Sequence, residues 1–131
     1  MDKESPKKFE EASKIIYKEA FQIIVAKQKD YGTRNILDFG ELGVLVRSND
    51  KMARLKNLIA SGNAPNNESI EDSWKDLLNY SVIALMLRRG WFTLPLEEEV
   101  GKLSKVNTAS ASTEIDIGKI VFKKKEASKA I

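Results

Sequence analysis

Three stretches of the chain repeat apolar residues at steps of three and four, the spacing that gathers them on one side of a helix. In residues 6 to 29, Phe9, Ala12, Ile16, Ala20 and Ile23 form one stripe, and Gly32 follows where a helix would end. In residues 38 to 61, Leu45, Met52, Leu55 and Ile59 share a face, and Gly62 with Pro65 closes it. Residues 69 to 89 open with Ser69 and Asp72 at capping-box spacing and close on "LRRG", a basic last turn before a glycine. A shorter fourth helix is predicted after Pro95, through "LEEEVGKL". The expected fold is all-α, a bundle of three long helices and one short helix in a single domain, residues 1 to 104. A polar and basic C-terminal arm follows, residues 105 to 131; "NTASASTEIDIG" reads as a linker, and "KIVFKKK" as a short strand, a pairing arm or a disordered tail.

Some polar residues sit where apolar ones would be expected. At about 100° per residue, Asp72, Asp76, Asn79, Ile83 and Met86 of the third long helix fall within about 80° of one another. Trp74, Leu77, Leu78, Ser81 and Leu85 form the opposite face. Past Leu77 the helix is apolar nearly all round, which predicts a central position. Its surplus apolar faces predict a homo-oligomer, a dimer or higher. On the second helix, Glu41 and Ser48 lie in line with Leu45, Met52, Leu55 and Ile59.

A buried ionised carboxylate is very costly unless it is paired or coordinated. Carboxylates on facing helices would form a cage for Mg²⁺, a hard cation that takes oxygen ligands and retains water. Asp76 and Asp72 would be metal ligands, and Glu41 a third ligand or the base for an attacking water. Lys27 lies on the core face of the first helix; Lys29, Tyr31 and Arg34 follow. The cations are expected to hold phosphates, with Asn79 nearby and Tyr31 or Trp74 stacking on a base. Other readings remain for the same residues. Asp72 would only cap its helix, Glu41 would be solvated or paired with an arginine, and Asp76 would form a buried pair with Lys27. Glu68 and Glu71 read as first-turn residues facing the helix dipole. Arg47, Asp50, Lys51 and Arg54 read as a solvated, salt-bridged flank, or else as a second polar face toward a subunit or ligand.

Composition narrows the chemistry. The 131 residues include no cysteine and no histidine, which excludes disulfides, thiol catalysis, zinc–thiolate sites, imidazole metal sites and Ser-His-Asp triads. Any catalysis must rest on carboxylates, lysine, tyrosine, hydroxyls and a metal. No apolar run reaches the roughly 18 residues of a membrane span, and the charged N-terminus lacks a secretory core, so a cytoplasmic protein is expected. The net charge of +3 belongs to the arm, with lysines at 105, 119, 123, 124, 125 and 129. Nucleic-acid contact through that arm is one expectation; for the helical domain itself the charge is weak evidence.

"KDYG", "NILDFGELGVLVRSNDKMARLKNL" and "NESIEDSWKDLLNYSVIALML" resemble the nucleotide-modification-associated domain family, small helical proteins of bacteriophages and bacteria, over roughly residues 27 to 90. The resemblance implies a nucleotide or modified nucleotide as partner, and no particular reaction. A looser resemblance is to the all-α nucleoside triphosphate pyrophosphatases, the MazG-like and dimeric dUTPase-like enzymes. Those hold Mg²⁺ with a glutamate-rich helix and a following acidic helix, and cut between the α- and β-phosphates. Glu41 would stand for the first set, Asp72 and Asp76 for the second. Here the first set has fewer glutamates, and Asp72 to Asp76 is a spacing of four rather than three; Glu68 to Glu71 keeps three. The leading expectation is a Mg²⁺-dependent pyrophosphatase-like hydrolase. The alternatives are a non-catalytic module that sequesters a nucleotide or nucleotide signal, and an accessory factor in DNA base modification.

Overall fold

The computed structural model describes residues 4–102. They are all-α, with no strand among them. The elements are α1 (Phe9–Tyr31), α2 (Arg34–Leu37), α3 (Gly40–Ser61) and α4 (Ile70–Arg88), followed by helical residues 97–102. The linker and the "KIVFKKK" arm lie outside the described residues. No described helix is long and apolar enough to cross a membrane. The chain divides into two compact units, Met1–Val82 and Ile83–Ile131.

In the first unit, α1 ends at Gly32, whose positive φ of 66° frees its N–H to bond the Gln28 carbonyl at 2.9 Å. The single turn of α2 follows. Sequence periodicity merges the residues after it into the next helix, but Gly40 at φ 60° interrupts them, and α3 begins there rather than at residue 38. Ser69 and Asp72 form the predicted capping box: the Asp72 N–H donates to Ser69 Oγ at 3.1 Å, and the Ser69 N–H donates to Asp72 Oδ2 at 3.3 Å.

The three long helices meet through a small apolar core and several polar ties. Ala20, Val44 and Leu55 are buried, and Leu55 is only 1% exposed. The Asn79 amide donates to the Ala20 carbonyl at 2.9 Å, fastening α4 to α1. Lys75 and Glu19 pair at 3.1 Å between the same helices.

The inward face of α3 differs from the predicted one. Of the stripe Leu45, Met52, Leu55 and Ile59, only Leu55 is buried; Leu45 is 65% and Ile59 57% exposed. The helix is turned so that Val44 and Leu55 point in and the Lys51–Arg54 flank meets α4. The flank read as solvated is therefore a second polar face, directed at another helix of the same chain. Asp76 of α4 and Glu68 just before it compensate Lys51, and Arg54 donates to the Ser73 hydroxyl and the Glu68 carbonyl, so the half-buried cations of that flank are partnered.

In the second unit, the chain turns sharply after α4. Gly90 adopts φ 70°, and the Trp91 N–H donates to the Met86 carbonyl at 2.8 Å. The Arg89 guanidinium stacks 4.9 Å from the Trp91 ring centre. Residues 97–102 supply the short helix expected after Pro95, and the Leu96 N–H bonds Glu99 Oε2 at 3.2 Å.

Candidate functional site

A polar cluster joins the three long helices of the first unit. Asp76 is its centre, 6% exposed on the inward face of α4. Lys27 of α1 donates to Asp76 Oδ1 at 2.8 Å. Lys51 of α3 lies 2.9 Å from Asp76 Oδ2 and 2.7 Å from Glu68 Oε2. One turn further along α3, Arg54 donates through Nη1 to Ser73 Oγ at 2.6 Å and through Nη2 to the Glu68 carbonyl. Three cations thus face two carboxylates, for a net charge of +1.

Local sequence explains the convergence. Lys51 and Arg54 are three residues apart on α3, and Ser73 and Asp76 three apart on α4, so each pair shares a helix face. Arg54 also grips the backbone at Glu68, in the connection leading into α4, and so sets where that helix starts. Burial works to raise the Asp76 carboxyl, but the hydrogen bonds and charges of Lys27 and Lys51 outweigh it and hold its pKa below the ordinary 3.8. Burial works to lower the Lys51 ammonium, and Glu68 and Asp76 outweigh that, raising it above 10.5. Both groups are therefore charged at neutral pH.

Lys27 differs from Lys51 in access. Its side chain is 51% exposed against 19% for Lys51. Among the described residues Lys27 makes one hydrogen bond, to Asp76, whereas an ammonium carries three donors. Two donors beside the buried carboxylate remain for another acceptor.

The remaining sequence-predicted residues are placed as follows. Asp72 turns back to its own helix start, in the capping box. Glu41 is exposed in the first turn of α3. No group of three or more acidic side chains close enough to hold a metal occurs among the described residues, so Glu41, Asp72 and Asp76 do not form the three-carboxylate cage expected for Mg²⁺. Asn79 ties α4 to α1. Trp74 sits on the opposite face of α4 from Asp76, beside Ile16 and Leu78, and does not stack over the cluster. Lys29, Tyr31 and Arg34 are exposed around the end of α1 and the turn of α2. Sequence reasoning reads Glu68 as a helix-dipole residue that keeps the three-residue acidic spacing with Glu71, and Lys51 as part of a solvated flank or of a second polar face toward a subunit or ligand. Three-residue spacing puts Lys51 with Arg54 and Ser73 with Asp76 on shared helix faces, but which faces meet depends on helix register, which spacing does not give.

Residues 27–87 match the family described as nucleotide modification associated domain 1. That span contains every residue of the cluster. The chain matches no curated protein and no solved structure.

Proposed function

We propose that this protein binds the phosphate groups of a nucleotide at the Lys27–Asp76–Lys51 cluster. The observation that carries the reading is the convergence of two ammonium groups from different helices on one buried carboxylate, one of them half exposed with donors to spare. Asp76 holds the two cations in place before a ligand arrives, which lowers the ordering cost of binding. A phosphate oxygen would take the free Lys27 donors, and the net positive charge favours an anion. The name of the matched family supports a nucleotide as the source of that phosphate. In this reading the protein is a binding module and needs no resident metal. Isothermal titration with nucleoside mono-, di- and triphosphates in chelator tests it. Binding that weakens about tenfold or more in Lys27→Ala is the expected result. Equal affinity in Lys27→Ala and wild type would sink it.

A second reading, a Mg²⁺-dependent pyrophosphatase-like hydrolase, is favoured by one specific feature. The Lys51 ammonium is flanked by Glu68 and Asp76 at 2.7 and 2.9 Å, as a cation is flanked by its ligands. Mg²⁺ is often held by only one or two carboxylates together with substrate phosphates and water. In this reading Glu68 and Asp76 would be the metal ligands, with Glu41 and Asp72 outside the set. Release of pyrophosphate that requires Mg²⁺ and is lost in Asp76→Asn would establish it over the binding module.

A further inference from the structure

The face of α4 turned away from Asp76 is not used by the cluster. Glu71, Trp74, Leu78, Ser81, Leu85 and Arg88 follow one another at steps of three, four, three, four and three. That is the spacing of the a and d positions of a coiled-coil seam. Trp74 is 50% and Leu85 54% exposed, so this face leaves two large apolar side chains open to solvent. Beside Trp74 and Leu78 the surface dips into a groove of about 190 Å³, which Ile16 of α1 also lines.

We infer that this seam is the contact between two copies of the chain, packed as an antiparallel α4–α4 pair about a two-fold axis between residues 79 and 80. A two-fold interface must be complementary to itself. About that axis, Trp74 meets Leu85 of the second copy, and Leu78 meets Ser81. Large faces small at the centre, where helices approach most closely. Burying Ser81 leaves no hydroxyl without a partner, because its Oγ already donates to the Leu77 carbonyl at 3.1 Å.

Charge fixes the direction. The start of α4 is acidic at Glu71 and Asp72, and its last turn carries Arg88. In the antiparallel register Glu71 lies opposite Arg88 of the second copy at both ends of the seam. A parallel pair would set Glu71 against Glu71 and Arg88 against Arg88. The exposed apolar stripe of α3 offers no such ends: the same pairing about Met52 puts Glu41 opposite Asn63, beyond the helix. The seam therefore selects a second copy of this chain as its occupant, independently of what the Asp76 cluster binds.

The chain has no cysteine, so cysteines introduced by substitution report on one contact. In Glu71→Cys/Arg88→Cys the two thiols of one chain are 17 residues apart, about 25 Å along the helix, and cannot join to each other. In the proposed register each lies beside its counterpart on the second copy. Oxidation of the full-length double variant is expected to give covalent dimers, while either single variant, whose thiols would be about 25 Å apart across the pair, stays uncrosslinked. Sedimentation of the unmodified protein is expected to give a dimer, and Leu85→Glu a monomer with unchanged helical content. Glu71→Arg and Arg88→Glu are each expected to weaken the dimer at least tenfold, and their combination to restore it. A monomeric wild type at about 100 µM would overturn the inference. So would a dimer that survives Leu85→Glu, or single-cysteine variants that crosslink as readily as the double one.

Discussion

Lys51 and Asp76 face each other at 2.9 Å between α3 and α4, and the second oxygen of the same carboxylate holds Lys27 at 2.8 Å. One carboxylate therefore ties all three long helices of the first unit through charge-assisted hydrogen bonds. Removing its charge would leave Lys27 without its counter-ion and Lys51 with Glu68 alone. Asp76→Asn is expected to destabilise the fold by about 1–3 kcal/mol, the range for orphaning partly buried partners, as read from chemical denaturation. Adding Lys51→Met to that variant is expected to recover part of the loss, since the less exposed cation is then gone.

The same pair makes stability depend on pH. The folded Asp76 carboxyl titrates below its ordinary 3.8, so the native state binds fewer protons there than the unfolded chain. Its contribution is complete above pH 3.8 and is lost as pH falls through the lower folded value. Lys51 acts in the opposite range: its contribution is complete below 10.5 and is lost as pH rises through its raised folded value. Denaturation midpoints of wild type and Asp76→Asn, followed from neutral pH down to about 2.5, are expected to converge at the acid end. A constant gap throughout would contradict the assignment.

The turning of α3 has its own test. Leu55 is buried and Leu45 is exposed, although both lie on the stripe that periodicity selects. Leu55→Ala is expected to cost about 2–4 kcal/mol and Leu45→Ala under about 1 kcal/mol, by thermal or urea unfolding. Comparable losses at both positions would restore the face expected from sequence.

Asp72 separates capping from ligand binding. Ser69→Ala and Asp72→Ala are each expected to destabilise by about 1 kcal/mol through loss of the capping box. Neither should change nucleotide affinity, because both side chains are engaged at the helix start. Loss of affinity in Asp72→Ala without loss in Asp76→Asn would contradict this division.

These contacts show how far the sequence could be read. Apolar spacing located the three long helices to within a few residues, since one buried side per helix leaves a strong periodic mark. The inward direction of Asp76 and Asn79 was equally legible, because their neighbours on that face are apolar. A pairing of Asp76 with Lys27 was among the readings the residues allowed. The rotation of α3 was not legible. Periodicity favours the most apolar side of a helix, whereas Lys51 and Arg54 turn inward only because Asp76, Glu68 and Ser73 stand on the other side. That choice depends on the register of two helices far apart in sequence. The same blindness hid the contact of Glu68 with Lys51. Trp74 is a different case: the helical spacing already set it opposite Asp76, so its stacking role had no support from that face.

The measurement closest to the central claim is the thermal stability of the full-length protein with a nucleoside triphosphate, in chelator and in Mg²⁺, for wild type and Lys27→Ala. A ligand at ~100 times its Kd stabilises the native state by about 2.7 kcal/mol. The account predicts a rise in Tm in chelator that is lost or much reduced in Lys27→Ala. A rise that appears only with Mg²⁺, or one that Lys27→Ala leaves intact, would contradict it.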